Sequence, residues 1–397
     1  VTCLQFRTSE MKYEECALLA LFVAACPKLT ELDLRDNHCG DEALRPFIDI
    51  GECTTLLRLE MWGNELAEAD NLGPFLAGFG SLTDLSLSRN SLGTGVVGVL
   101  AAMDSGDLAN LTHLDLEDNK IGVAGITLLS ERLCKCPHLA SLQLSHNELG
   151  DRGLATLAEV LSGASALTHL ALAHSSTRKD GAEFLGLVLP ACTALRSLDF
   201  SWNSDDVDRG PVFVQFFQGL AWCTALTRLD LGHNDFGRNL EDAEALGGYL
   251  SGLDNLRDLS LQGIFNNSTE AFGETATHLH EACRGLRFCT SLASLDLSFN
   301  CQIQLDSIFG MLGWLAQIPS LVHLDLNSTL GMRKFTDDTG AALAATLAGS
   351  FITGGFALLE RLDLTDANLT LEGKASARAT LQSAGMLQNV LVLGLGA

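Results

Sequence analysis

Acidic side chains recur at one fixed place in this chain. Asp33, Glu60, Asp115, Asp199, Asp230, Asp296, Asp325 and Asp363 each stand between two large apolar residues, with Ser86, Gln143, Ala171 and Ser260 at the same place elsewhere. Two positions earlier the residue is often basic or an imidazole: Arg58, His113, His169, Arg228, His323 and Arg361. Paired carboxylates can do general acid–base work, but only in two different environments inside a dry pocket. A periodic row offers neither, and reads better as a surface that attracts positive charge. Other candidate chemistry is thinner. His278, His280 and Cys283 fall close together, yet a polar helix face explains them. Cys134-Lys-Cys136 lacks the second ligand pair of a zinc site. No glycine-rich stretch has the form of a phosphate cradle, and the 38 glycines suit turns and helix ends. The sequence points to no enzyme, no metal and no cofactor.

The elements that carry these residues show in Leu111–Leu129, LTHLDLEDNKIGVAGITLL. Leu114 and Leu116 alternate with polar residues, which is the period of a short half-buried strand. Asn119 stands where the chain turns, and its amide can satisfy backbone groups that a short strand leaves unpaired. An aliphatic residue and often Gly follow, then apolar positions at helical spacing, as in Leu149, Leu154, Leu157 and Leu161. One such unit cannot bury its own apolar face, but a stack of them can.

The motif L-x-x-L-x-L-x-x-N begins at Leu29, Leu56, Leu82, Leu111, Leu139, Leu167, Leu195, Leu226, Leu256, Leu292, Leu321 and Leu359. The period of about 28 residues leaves room for a full helix in each unit. Leu4 and Phe6 start an earlier unit, with Ser9 in the Asn position. Val390–Leu395 looks like a further strand. The apolar run Ala17–Cys26 follows Glu14 and Glu15, where a signal peptide would carry positive charge. It is also too short to span a bilayer, and it fits the outer helix of the first unit. None of the seven prolines falls inside an expected strand. Ser175, Ile264, Thr329 and Ala367 replace the turn Asn. Long units follow two of these, with Phe265–Glu270 and Gly331–Phe335 as extra loop residues. Neither end shows a polar capping repeat, which implies either a longer natural chain or a partner on the ends.

Repeats reading L-x-x-L-x-L-x-x-N-x-L-G-x-x-G-x-x-x-L, best seen in Leu139–Leu161 and Leu82–Leu100, resemble the ribonuclease-inhibitor-like class of leucine-rich repeats. The resemblance covers almost the whole chain. It implies an α/β leucine-rich repeat solenoid, a horseshoe with a parallel β-sheet on the concave face and α-helices on the convex face. About thirteen repeats would form a single domain over residues 1–397. The class includes ribonuclease inhibitor, the sensor domains of NOD-like receptors, the GTPase-activating protein for Ran, and scaffolding subunits of large assemblies. The resemblance therefore implies a protein-binding surface rather than one function.

Twelve cysteines invite a disulfide or zinc reading. Cys26, Cys53, Cys136, Cys192, Cys223 and Cys289 each lie three residues before a strand-opening leucine. Other repeats hold Phe79, Leu108, Ala164, Leu253, Ile318 and Phe356 there. These thiols read as small buried hydrophobes, which favours a reducing, intracellular compartment. Asn-x-Ser/Thr sequons at Asn110, Asn266, Asn267, Asn327 and Asn368 stand against it. A net charge of −24 disfavours nucleic acid and anionic membranes as partners.

The expected binding residues are the eight acids Asp33, Glu60, Asp115, Asp199, Asp230, Asp296, Asp325 and Asp363, with Trp62, Trp202 and Phe299 as aromatic anchors on or near the concave rim. Trp222 and Trp314 fall in outer helices and read as core. Met332–Phe335 is a small basic and apolar spot in an insertion. The expected partner is a basic or mixed-charge protein. The alternatives are an architectural subunit held by its ends and convex helices, a small-GTPase regulator, and an innate-immune sensor domain.

Overall fold

Alternation sets the strands. In each repeat the inward leucines flank one outward residue, and the three residues around the second leucine form the strand. At the second repeat Leu29, Leu32 and Leu34 are all 1% exposed or less. The computed structural model describes residues 1–50, 53–203, 213–234, 236, 240–264, 274–300, 305–329, 337–366 and 370–395. The insertions Phe265–Glu270 and Gly331–Phe335, Ala367, and the sequons at Asn266, Asn267 and Asn368 lie outside those residues.

The chain divides into two compact units, Val1–Leu195 and Arg196–Ala397. The first holds strands β1 (Cys3–Gln5), β2 (Glu31–Asp33), β3 (Arg58–Glu60), β4 (Asp84–Ser86), β5 (His113–Asp115), β6 (Ser141–Gln143) and β7 (His169–Ala171). The second holds β8 (Ser197–Asp199), β9 (Arg228–Asp230), β10 (Asp258–Ser260), β11 (Ser294–Asp296), β12 (His323–Asp325), β13 (Arg361–Asp363) and β14 (Leu391–Leu393). Within each unit successive strands pair in parallel with no residue slip, so Leu32, Leu59 and Leu85 lie in one row, as do Leu229, Leu259 and Leu295. Every motif expected to form a strand does so, including the first and the last.

A helix or short helical turn follows each strand from β1 to β13 and covers one sheet face, leaving the other open. Helix Gly150–Leu161 buries Leu154, Leu157 and Leu161 on its inner side, with Leu149 just before it. The run read as an outer helix forms one, Tyr13–Ala24. Among the described residues no helix is long and apolar enough to cross a membrane.

The turn asparagines tie one repeat to the next. Asn147 donates to Leu144 O at 2.9 Å and Ser145 O at 3.1 Å in its own repeat, and to Leu116 O at 2.8 Å in the one before. Its Oδ1 accepts the backbone N–H of Asn119 at 3.0 Å and of Ile121 at 3.2 Å. A three-residue strand leaves these backbone groups unpaired, and buried orphans are costly. Where Asn is missing, a hydroxyl does part of the work: Ser175 Oγ donates to Leu172 O and Thr329 Oγ1 to Leu297 O.

Five of the six cysteines that precede strand-opening leucines are buried; Cys26 is half-buried. One expectation fails. Trp222 is 64% exposed. It falls in the turn after helix Val214–Leu220, and the inward slot there is taken by Cys223.

Candidate functional site

The last residue of each strand points out of the open face, and strand register stacks these residues into a column. In the first unit the column runs Asp33, Glu60, Ser86, Asp115, Gln143, Ala171. In the second it runs Asp199, Asp230, Ser260, Asp296, Asp325, Asp363. Adjacent strands sit about 4.8 Å apart, so like charges face one another at close range.

All seven aspartates of the column share a backbone contact that the sequence reading did not foresee. The Oδ1 of Asp33, Asp115, Asp199, Asp230, Asp296, Asp325 and Asp363 accepts the N–H two residues on, at 2.8–3.2 Å. That N–H stands just past the strand, where the ladder has ended, and Asp is well suited to such a turn. One carboxylate oxygen is thus structural.

The units differ in what meets the other oxygen. In the first, Asp33 is fully buried and takes Arg7 Nε at 2.6 Å and Arg35 Nη2 at 2.8 Å. Burial alone would raise its pKa, but the two guanidiniums outweigh burial and hold it below the usual carboxylate range. Asp33 is therefore spoken for within the chain. Glu60, without such contacts, is pushed up by burial. Trp62 is half-buried and packs under the guanidinium of Arg89, 4.9 Å from its ring centroid. These residues line a pocket of about 370 Å³ on the open face, with Arg7, Arg35, Trp62 and Arg89 among Glu60 and Asp115. The neighbouring column pairs with itself, since Asp84 accepts both Arg58 and His113.

In the second unit the place two residues after the column holds Ser201, Gly232, Gln262, Ser298, Asn327 and Thr365, none of them basic. Among the described residues Asp199, Asp230, Asp296 and Asp325 form no ion pair, while Arg361 reaches Asp363 at 3.5 Å. Burial pushes Asp230 and Asp325 up, and neighbouring carboxylates add to it. Asp363 ends below its usual range because bonds from Thr365 and Arg361 outweigh its burial.

Beside these acids runs an aromatic ledge. Trp202 is 49% and Phe299 42% exposed. The Trp202 ring lies flat on His233, with centroids 3.6 Å apart and planes 17° apart, and Phe299 follows at 6.4 Å from His233. Gly263 holds the intervening place in the register. These residues occupy the site just before the turn Asn, which has a positive φ throughout: Trp202 58°, His233 54°, Phe299 58°. The structure thus brings Trp202 and Phe299 together with Asp199, Asp230 and Asp296, whereas Trp62 stands one place earlier in its repeat and is capped by Arg89. His233 is not singled out by residue type, because acids, an arginine, histidines and aromatics all occupy this place in different repeats.

The His278, His280, Cys283 group lies on helix Glu274–Leu286, where His280 Nε2 accepts Trp314 Nε1–H at 2.9 Å. Among the described residues no group of three or more His, Cys, Asp or Glu side chains is placed to hold a metal ion.

A family model described as Leucine Rich repeat matches residues 25–47, 108–130, 135–158 and 223–238. The fold is similar to a chain in the crystal structure of the Rad7 and Elc1 complex in yeast, at 18% identity and a TM-score of 0.52, covering 99% of this chain and 81% of that one. It is similar also to a leucine-rich repeat protein of Leptospira interrogans, at 15% identity and a TM-score of 0.52, covering 93% and 79%. No curated protein matches by sequence. At such identities the likeness establishes the fold.

Proposed function

Because this chain is a leucine-rich repeat protein, we propose that it is a non-enzymatic scaffold that docks a basic or mixed-charge protein segment on its open sheet face, within the second unit. Stacked repeats create extended binding surfaces by their construction. The observation that carries the reading is the row Asp199, Asp230, Asp296 and Asp325, which has no basic partner among the described residues, beside the exposed rings of Trp202 and Phe299. Carboxylates set register and speed encounter, while aromatic side chains supply the desolvated anchor. The first unit supports this by contrast, because its own Arg7 and Arg35 already occupy Asp33, and Arg89 covers Trp62. A reducing, intracellular setting fits the eleven described cysteines, none of which is in a disulfide.

The test is recovery of partners from native material with the wild-type chain and with the double reversal Asp199→Lys, Asp230→Lys, followed by affinity measurements on the partner found. The reversal should weaken binding roughly a hundredfold, and raising salt should weaken the wild-type complex. Binding indifferent to both changes would remove the electrostatic reading.

A second reading is an architectural subunit of a multiprotein assembly. The similar fold in the Rad7 and Elc1 complex favours it. In that case substitutions on the outer helices, not on the column, should release the partners.

A further inference from the structure

Two sets of described thiols differ in what their sulfurs face. Cys136, Cys192 and Cys289 each direct the S–H to a backbone carbonyl of the repeat before, and burial raises their pKa, to about 11 for Cys136 and about 12 for Cys289. Such thiols are inert. Cys16 and Cys39 instead face each other, sulfur to sulfur at 3.9 Å, across the boundary between the first two repeats. Cys16 lies on the inward side of helix Tyr13–Ala24, among Leu19, Ala20 and Val23. Cys39 is half-buried on the loop that leaves the Asn37 turn, between His38 at φ 53° and Gly40 at φ 66°.

We propose that Cys16 and Cys39 form a reversible oxidation site that takes a hydroperoxide as oxidant and holds the result as a disulfide. The sulfurs must close to about 2.05 Å, and the movement falls on Cys39, which sits on a loop rather than a helix. The contact with Cys39 lowers the Cys16 pKa, whereas the same contact and burial push Cys39 up, so Cys16 supplies the thiolate. The half-buried Cys39 beside it is where peroxide reaches the pair. The Cys16 thiolate attacks one oxygen of hydrogen peroxide, the O–O bond breaks, a sulfenic acid forms, and the departing hydroxide takes up the proton the thiol gave up and leaves as water. The Cys39 sulfur then attacks the Cys16 sulfur. The S–O bond breaks and the second hydroxide leaves with the Cys39 proton, again as water. Two thiols have lost two electrons and the peroxide has gained them.

The product ties together elements that only hydrogen bonds join on the strand side, namely Phe6 N–H to Asp33 O at 2.8 Å, Thr8 N–H to Arg35 O at 3.2 Å and Ser9 N–H to Asn37 Oδ1 at 2.9 Å. Arg7, which neutralises Asp33, lies within that same stretch. Oxidation therefore fixes the first repeat, and with it the internal arginine, against the second.

The experiment is a hydrogen peroxide titration of the intact chain read by non-reducing peptide mass spectrometry, with the exposed Cys3 and Cys134 as the measure of dose. A linked peptide containing Cys16 and Cys39 should form, revert with dithiothreitol, and be absent from Cys39→Ser. Amide exchange over residues 3–9 should slow by about tenfold or more in the oxidised chain. A dose that oxidises Cys3 and Cys134 while Cys16 and Cys39 stay open to alkylation after unfolding overturns the site. A linked peptide with unchanged amide exchange overturns the stapling of the repeat.

Discussion

The carboxylate of Asp199 holds Ser201 twice, accepting its backbone N–H at 3.0 Å and its hydroxyl at 2.7 Å through the same Oδ1. An acid in this column therefore serves two ends, one local and one outward, and the two can be separated by substitution. Asparagine keeps an acceptor oxygen for the Ser201 N–H but carries no charge. Alanine loses both.

Asp199→Asn should accordingly leave the melting temperature close to wild type while weakening the binding of a basic partner. Asp199→Ala should cost about 2 kcal/mol in stability, since it removes both bonds at roughly 1 kcal/mol each. Urea titration of the two variants beside wild type checks the first part, and affinity for the recovered partner checks the second. Equal binding by Asp199→Asn and wild type would show that the column is there for the backbone alone.

Acid titration should separate the acids of the column by sign. Asp33 and Asp363 lie below the ordinary aspartate value, because their hydrogen bonds outweigh their burial. The stability they contribute is present above that ordinary value, near 3.8, and is lost as pH falls through their lowered folded values. Asp230 and Asp325 lie above it, through burial and then neighbouring carboxylates. Their contribution is fully present below pH 3.8 and is lost as pH rises through their raised folded values. Asp33→Asn should thus destabilise by about 1.5–3 kcal/mol at neutral pH, where it breaks charge-assisted bonds, and by progressively less in acid. Asp230→Asn should raise the melting temperature at neutral pH, with the gain vanishing near pH 3.8. Thermal melts of both variants across that range decide it, and parallel curves would contradict the assigned shifts.

Much of this was open to reading in the amino-acid order. Leu29, Leu32 and Leu34 give a strand because alternation leaves one face apolar, and the same pattern placed strands as far as Leu391–Leu393. Side-chain environment was less legible. Asp33 and Asp230 have the same flanking leucines, and Arg35 two residues past the first is visible in the sequence, but Arg7, which also reaches Asp33, comes from just past the strand before it. Trp62 and Trp202 both follow the third apolar residue, but one place apart, which separates a ring capped by Arg89 from one on the exposed ledge. A usable signal was missed at that place. Asp36, Arg89, Asp118, His146, His174, Trp202, His233 and Phe299 share it with Gly63 and Gly263, and all have positive φ. Among the described residues a β-branched side chain occurs there once, Thr8 in the first repeat at φ 52°, as a left-handed conformation that disfavours such residues would lead one to expect.

The asparagine ladder gives the last prediction. Asn147 is fully buried and makes five hydrogen bonds, three donated to carbonyls of two repeats and two accepted from backbone N–H groups. Alanine would strand those groups out of reach of water, and each buried orphan costs about 1–3 kcal/mol. Some will relax toward neighbours, so Asn147→Ala should destabilise the chain by about 3–5 kcal/mol. Ser175 occupies the same turn position one repeat later, and there a single hydroxyl meets Leu172 O at 2.8 Å. Restoring the consensus with Ser175→Asn should move stability the other way. Urea unfolding of the two variants measures both signs. A small loss at Asn147 would mean that helix packing, not the ladder, holds neighbouring repeats together.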